Sequence, residues 1–121
     1  MAEPNVQSEP LYSSLENDPD LMEIVAMFVD EMPGRIATIR ELFASGPREH
    51  LRRAAHQLKG AAGSYGFDPI SVAAGRLEQA LLVQEPEEAI RQSVEELIAL
   101  CARCRAGAAS PSGSNEPNVV R

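Results

Sequence analysis

The sequence predicts an all-α protein built as an antiparallel up-and-down four-helix bundle. Three observations lead there. Through the middle of the chain apolar residues return every three or four positions, the period of an amphipathic helix. Pro, Gly and Asp residues cut that stretch into four segments with short connections. No segment alternates apolar and polar residues with period two over a useful length, so no strand is predicted.

Length and composition set the frame. The chain has 121 residues, enough for one domain with a single core. Hydrophobic residues make up 44% and charged residues 24%, ordinary for a globular protein. Aromatics are only 4% and Trp is absent, so the core must be mainly Leu, Ile, Val, Met and Ala. With 11 Lys and Arg against 18 Asp and Glu, the net charge is −7, which argues against a nucleic-acid binder. No apolar run is long enough for a membrane span, and Met1 to Pro10 lack the features of a signal peptide. Two cysteines make no disulfide framework, and a reducing cytoplasm is the simplest compartment. Residues 1–17 read as a flexible N-terminal tail, 18–106 as the bundle, and 107–121 as a disordered, small and polar C-terminal tail.

Asp18-Pro19 opens the first helix: Asp can cap, and Pro is tolerated in the first turn. Its inner stripe is Leu21, Val25, Phe28, Met32, Ile36, Ile39 and Phe43. The stripe keeps phase across Pro33-Gly34, which predicts a long first helix, kinked or split near Pro33. Ser45-Gly46-Pro47 stops it. The second helix runs from about Arg48 to Tyr65, closed by a left-handed Gly66 with Phe67 packed behind it. Asp68-Pro69 opens the third, with Ile70, Ala73, Ala74, Leu77 and Leu81 inward; Arg76 and Glu78 read as solvated charges. Pro86, Glu87 and Glu88 suit the positive end of the fourth helix, whose stripe is Ile90, Val94, Leu97, Ile98, Cys101 and Cys104. Cys101-Ala102-Arg103-Cys104 lacks the strand-to-helix context of a redox motif and the further ligands of a zinc site, so both thiols are expected buried and no metal is expected.

The second helix carries the candidate site. At about 100° per residue, Leu51, Ala54, Ala55, Leu58, Ala61, Ala62 and Tyr65 gather on one side. His56 falls on the other, with Arg52, Arg53, Lys59, Gly60 and Gly63, so it is not a core histidine. Lys59, the one lysine in the chain, is a turn away. Each mid-helix glycine costs roughly 1 kcal/mol against alanine. Gly60 and Gly63, with small Ser64 beside them, give another protein's surface clearance to approach the imidazole. The competing explanation, close packing of Gly60 and Gly63 on a neighbouring helix, is disfavoured by their angular position. A neutral imidazole is a nucleophile. Arg48, Arg52, Arg53 and Lys59 form a basic strip that suits an anion or an acidic pocket. His50 lies at the boundary between the two faces.

The segment His56-Gln57-Leu58-Lys59-Gly60-Ala61-Ala62-Gly63-Ser64-Tyr65-Gly66-Phe67 resembles the signature of histidine-containing phosphotransfer (HPt) domains. It is also similar to the phosphotransfer domain of chemotaxis histidine kinases. The resemblance implies that His56 is the phospho-acceptor and that Lys59 contacts the phosphoryl group. By the same resemblance Gly60 gives the receiver access, Gly63 and Ser64 line the docking face, and Gly66 is a structural turn; Arg52 and Arg53 of the basic strip are expected to dock the receiver with them. It further implies a phosphocarrier in a His–Asp phosphorelay, with response-regulator receivers and a hybrid histidine kinase as partners. Such a carrier needs no cofactor of its own; Mg is expected on the receiver. Gln57 stands where dimerising sensor kinases usually carry an acidic residue, and no ATP-binding Gly-rich loop is present, so autophosphorylation is not expected. A monomer is expected, because the exposed strip is charged and small rather than greasy. The alternative function is a non-transferring interaction module that docks and sequesters a receiver or other partner.

Overall fold

The computed structural model describes residues 9–15 and 18–106. Four helices follow one another: α1 (Pro19–Ser45), α2 (Arg48–Ser64), α3 (Asp68–Leu82) and α4 (Glu87–Ala102). Each packs on the next, and α4 closes the ring against α1, which is the four-helix bundle the sequence predicts. Two short strands lie outside it, β1 (Leu11–Tyr12) and β2 (Cys104–Arg105). None of the helices is long and apolar enough to cross a membrane.

Asp18 caps α1 by accepting the Asp20 N–H at 3.0 Å. Of the two arrangements expected near Pro33, the single long helix is realised: α1 runs continuously for 27 residues with Pro33 on its exposed side. An exposed proline inside a helix removes one hydrogen bond but leaves the apolar stripe undisturbed. Val25, Phe28, Met32 and Ile39 are buried, while Leu21, Ile36 and Phe43 sit at the edge of the core.

The end of α2 is a Schellman turn: the Phe67 N–H bonds the Ala62 carbonyl at 2.8 Å and the Gly66 N–H bonds that of Gly63 at 3.3 Å. Gly66 takes φ +84° and Phe67 is fully buried, stacked 5.6 Å from Phe28. The third helix ends in the same way, with Glu85 N–H on the Ala80 carbonyl at 2.9 Å, but here Gln84 occupies the left-handed position at φ 57°. That exception was not expected from sequence.

The N-terminal expectation needs correction. Residues 9–15 fell within the predicted flexible tail, yet they strap the bundle. Ser13 is buried; its hydroxyl donates to the Tyr65 carbonyl at 2.6 Å, and the Ser14 N–H reaches the Gly66 carbonyl at 2.8 Å. β1 pairs in parallel with β2, placing Leu11 opposite Cys104. Cys104 is buried as predicted, but in this strand rather than on the helical stripe. Two-residue strands are too short to show a period, and their partners are more than ninety residues apart along the chain, so local patterning could not reveal them. Residues 1–8, 16–17 and 107–121, including the predicted C-terminal tail, lie outside the described residues.

The two left-handed turns give opposite predictions for urea unfolding. Gly66→Ala should lower stability by about 1–3 kcal/mol, because it adds backbone strain and drives a methyl group into the Ser13 and Ser14 hydroxyls. Gln84→Gly should raise stability by about 1 kcal/mol by relieving the left-handed strain.

Candidate functional site

The α2–α3 pairing builds the site. Leu51, Ala55, Leu58 and Ala62 of α2 are buried, as are Ile70, Ala73, Ala74 and Leu77 of α3. With those stripes facing inward, His56 of α2 stands at the surface, its side chain 61% exposed. The bundle offers it one close partner. Nδ1 lies 2.9 Å from Oε2 of Glu78, on α3.

Glu78 overturns its expected role as a solvated charge: its side chain is only 11% exposed. Oε1 receives Lys59 Nζ at 3.2 Å, and Arg52 Nη1 stands 3.7 Å from Oε2. Burial works against the charged form of this carboxyl, but the hydrogen bonds from Lys59 and His56 outweigh it and hold Glu78 below the usual carboxylate range. An ionised Glu78 accepts from Nδ1–H. In the neutral imidazole the lone pair is then on Nε2, which has no hydrogen-bond partner among the described residues. The site presents a nucleophilic nitrogen outward and a carboxylate behind it.

The expected basic strip is also corrected. Each of its members has a carboxylate: Arg48 reaches Glu87 at 2.6 Å, Arg52 is held by Glu49, Arg53 lies 3.8 Å from Glu49, and Lys59 is on Glu78. In an acidic chain the basic side chains of one face find acidic partners a turn away or on another helix, so the strip is an ion-pair network rather than free positive charge.

The glycines divide. Around Gly60 a methyl group would meet nothing within 4 Å among the described residues, so packing within the bundle does not call for glycine there. At Gly63 a methyl group would stand 3.3 Å from the Ser71 hydroxyl of α3, so the close-packing explanation set aside from the sequence holds for Gly63. Ser71 also donates to the Lys59 carbonyl at 2.8 Å, tying the two helices together beside the site. Ser64 and Arg53 are exposed near the same face, and Gly66 forms the turn below it.

Sequence reasoning missed Glu78, Ser71 and Gly75. A methyl group at Gly75 would lie 3.2 Å from Lys59 Cδ, so this glycine gives the lysine stem a path across α3 to Glu78. The signal was available: Ser71, Gly75 and Glu78 share one flank of α3 at spacings of four and three, and a mid-helix glycine needs the same explanation in α3 as in α2.

The clefts beside α2 are open. One of about 520 Å³ is lined by Arg48, Glu49, Arg52, Leu81 and Glu87; another of about 410 Å³ by Gly34, Arg35, Thr38, Ala54 and Gln57. His56 lines neither, and a protruding imidazole suits a macromolecular partner better than an enclosed small molecule. His50 is exposed, toward the α1 side of α2. Among the described residues no group of three or more His, Cys, Asp or Glu could hold a metal ion. Cys101 and Cys104 are free and buried; burial pushes the thiols up to about 12 and about 11.

The chain is a four-helix bundle with His56, backed by Glu78, exposed on the face of α2. The model of the Hpt domain family matches residues 23–107, and the chain belongs to that family. No curated protein and no solved structure matches it. Hpt domains are phosphocarriers rather than kinases, and they work with the receiver domains and kinases of two-component systems.

Two predictions come from the chemistry of the buried groups. The depressed Glu78 carboxyl contributes stability that is complete above its ordinary value of 4.5 and is lost as pH falls through its lower folded value. The gap in urea midpoint between wild type and Glu78→Gln should therefore be widest above pH 4.5 and close in acid. At pH 8 Cys101 and Cys104 should resist a thiol reagent in the native protein and react fully once it is unfolded in guanidinium.

Proposed function

We propose that the chain is a phosphorelay intermediate in which His56 accepts a phosphoryl group from a receiver aspartate and passes it to another receiver. The observation that carries this reading is the 2.9 Å contact from His56 Nδ1 to Glu78 under an imidazole that is otherwise exposed. The Nε2 lone pair attacks phosphorus and an N–P bond forms. The P–O bond to the receiver aspartate breaks, and its electron pair leaves on the carboxylate oxygen. The ring gains positive charge, which Glu78 stabilises at Nδ1, where the proton stays. Reversal on a second receiver returns Nε2 to its starting state. The receiver brings the Mg and most of the catalytic machinery.

The neighbours take roles around that step. Lys59 exchanges its contact with Glu78 for a phosphoryl oxygen. Gly60, open on the outer face, gives the receiver room to bring its aspartate to Nε2, and Arg53 and Ser64 border the docking face with the exposed edge of Gly63. The contacts of Gly60, Gly63, Arg53 and Ser64 adjust approach, while Lys59 meets the charge of the phosphoryl group itself.

Incubation with a radiolabelled phosphoreceiver tests the proposal. Label should move to the wild-type chain in an acid-labile, alkali-stable form, and His56→Gln should take up none while keeping its helical circular dichroism. Intact receiver binding without any transfer of label would leave the chain a docking module. Gly60→Gln separates fold from approach. It should raise stability by roughly 0.5–1 kcal/mol, because glycine is the poorer helix former, and still slow transfer from the receiver.

A further inference from the structure

Arg52 and Arg53 are adjacent in sequence but differ in placement. The Arg53 side chain is 63% exposed; that of Arg52 is 26% exposed and turned along α2 toward Glu78. Glu49, one turn before it, holds the guanidinium edge-on: Nε donates to Oε1 at 3.1 Å and Nη2 to Oε2 at 2.5 Å. A two-point grip of this kind fixes the plane of the guanidinium as well as its position. Glu49 falls below the usual carboxylate range and Arg52 rises, each chiefly through this shared hydrogen bonding. The remaining nitrogen, Nη1, stands 3.7 Å from Glu78 Oε2, the oxygen that accepts from His56.

Glu78 is thereby held at both oxygens. Lys59 takes Oε1, while His56 and Arg52 share the side of Oε2. In the proposed transfer Lys59 is drawn away to the phosphoryl group. The carboxylate then loses one cation at the moment the imidazole needs it in place. Arg52, gripped by Glu49, is the cation that stays.

We propose that Arg52 is a positioning residue: held by Glu49, it keeps the Glu78 carboxylate on His56 Nδ1 while Lys59 is engaged with phosphate. The proposal rests on the reading of His56 as the acceptor. It also moves Arg52 out of the receiver-docking face, where the basic-strip reading of the sequence had placed it. Among the described residues the charged groups around the imidazole are Arg52 and Lys59 from α2, with Arg53 and Glu49 farther off, and Glu78 from α3.

Two readouts on the full chain decide it. The first is the His56 ring tautomer, from nitrogen shifts of protein labelled with ¹⁵N-histidine, with His50→Asn to assign the signals. The second is the rate of His56 labelling by phosphoramidate, a donor too small to need a docking face. Arg52→Gln should lower the share of the Nδ1–H tautomer and slow phosphoramidate labelling about two- to fivefold, the range open to a partly exposed ion pair. Arg52→Lys should not restore either, since one ammonium cannot keep both grips on Glu49 and still face Glu78. Glu49→Gln, which leaves Arg52 in place without its clamp, should shift both readouts the same way but less. In a Glu78→Ala background, Arg52→Gln should add nothing.

An unchanged tautomer and an unchanged phosphoramidate rate in both Arg52→Gln and Glu49→Gln, with transfer from a receiver slowed, would overturn the proposal and return Arg52 to docking. A loss in Arg52→Gln that persists undiminished in the Glu78→Ala background would overturn it as well. If wild-type His56 takes no label from any donor, the phosphorelay reading fails by itself; the tautomer comparison still reads Arg52's hold on Glu78.

Discussion

Glu78 is a nearly buried carboxylate on the surface seam between two helices, and it stays charged there because Lys59 and His56 hydrogen-bond it, with Arg52 3.7 Å away. Burial alone would push a carboxyl toward its neutral form, and a neutral Glu78 would no longer fix the imidazole tautomer. The features around the seam serve this arrangement. Gly75 leaves the lysine stem a path, Ser71 bonds the Lys59 carbonyl, and Gly63 lets the Ser71 side chain come close. The apolar stripes of α2 and α3 set the register that brings a residue on one helix opposite its partner on the other. The site depends on ordinary bundle packing carried to a particular register.

The site therefore divides into an inner and an outer half. Inward, the ring is oriented by a hydrogen bond of fixed geometry to the protein. Outward, Nε2 and Gly60 leave space that no described residue fills. A phosphocarrier needs both halves, because it must hold a reactive nitrogen ready and yet give it to a partner's active site. The same division explains why the neighbourhood of His56 is an ion-pair network rather than a field of positive charge. Paired cations keep the resting surface compatible with an acidic protein, and in the proposed transfer Lys59 exchanges its Glu78 oxygen for one of the phosphoryl group.

Much of this was legible in the sequence, and the limits have physical reasons. The four helices, the left-handed Gly66 and the outward His56 follow from periodicity and from the cost of misplaced glycines, both local properties. Lys59 and Gly60 lie on the same helix as His56, so a helical wheel finds them. Glu78 lies on another helix, and its partnership with His56 depends on the interhelical register, which spacing along one segment does not encode. Gly63 and Gly60 look alike on a wheel and differ in three dimensions, one facing Ser71 and the other facing solvent. The strap at residues 11–15 was missed because its contacts with Tyr65, Gly66 and Cys104 are all long-range. The family resemblance supplied the expected role of His56, and the geometry added the carboxylate that orients it.

The most direct measurement is the identity of the phosphorylated nitrogen. Phosphorus–nitrogen coupling in ¹⁵N-histidine-labelled protein, phosphorylated by its receiver, should place the phosphoryl group on Nε2 of His56 while Nδ1 keeps its proton toward Glu78. Coupling at Nδ1, or phosphorus carried by His50 or by any other residue, would contradict the account.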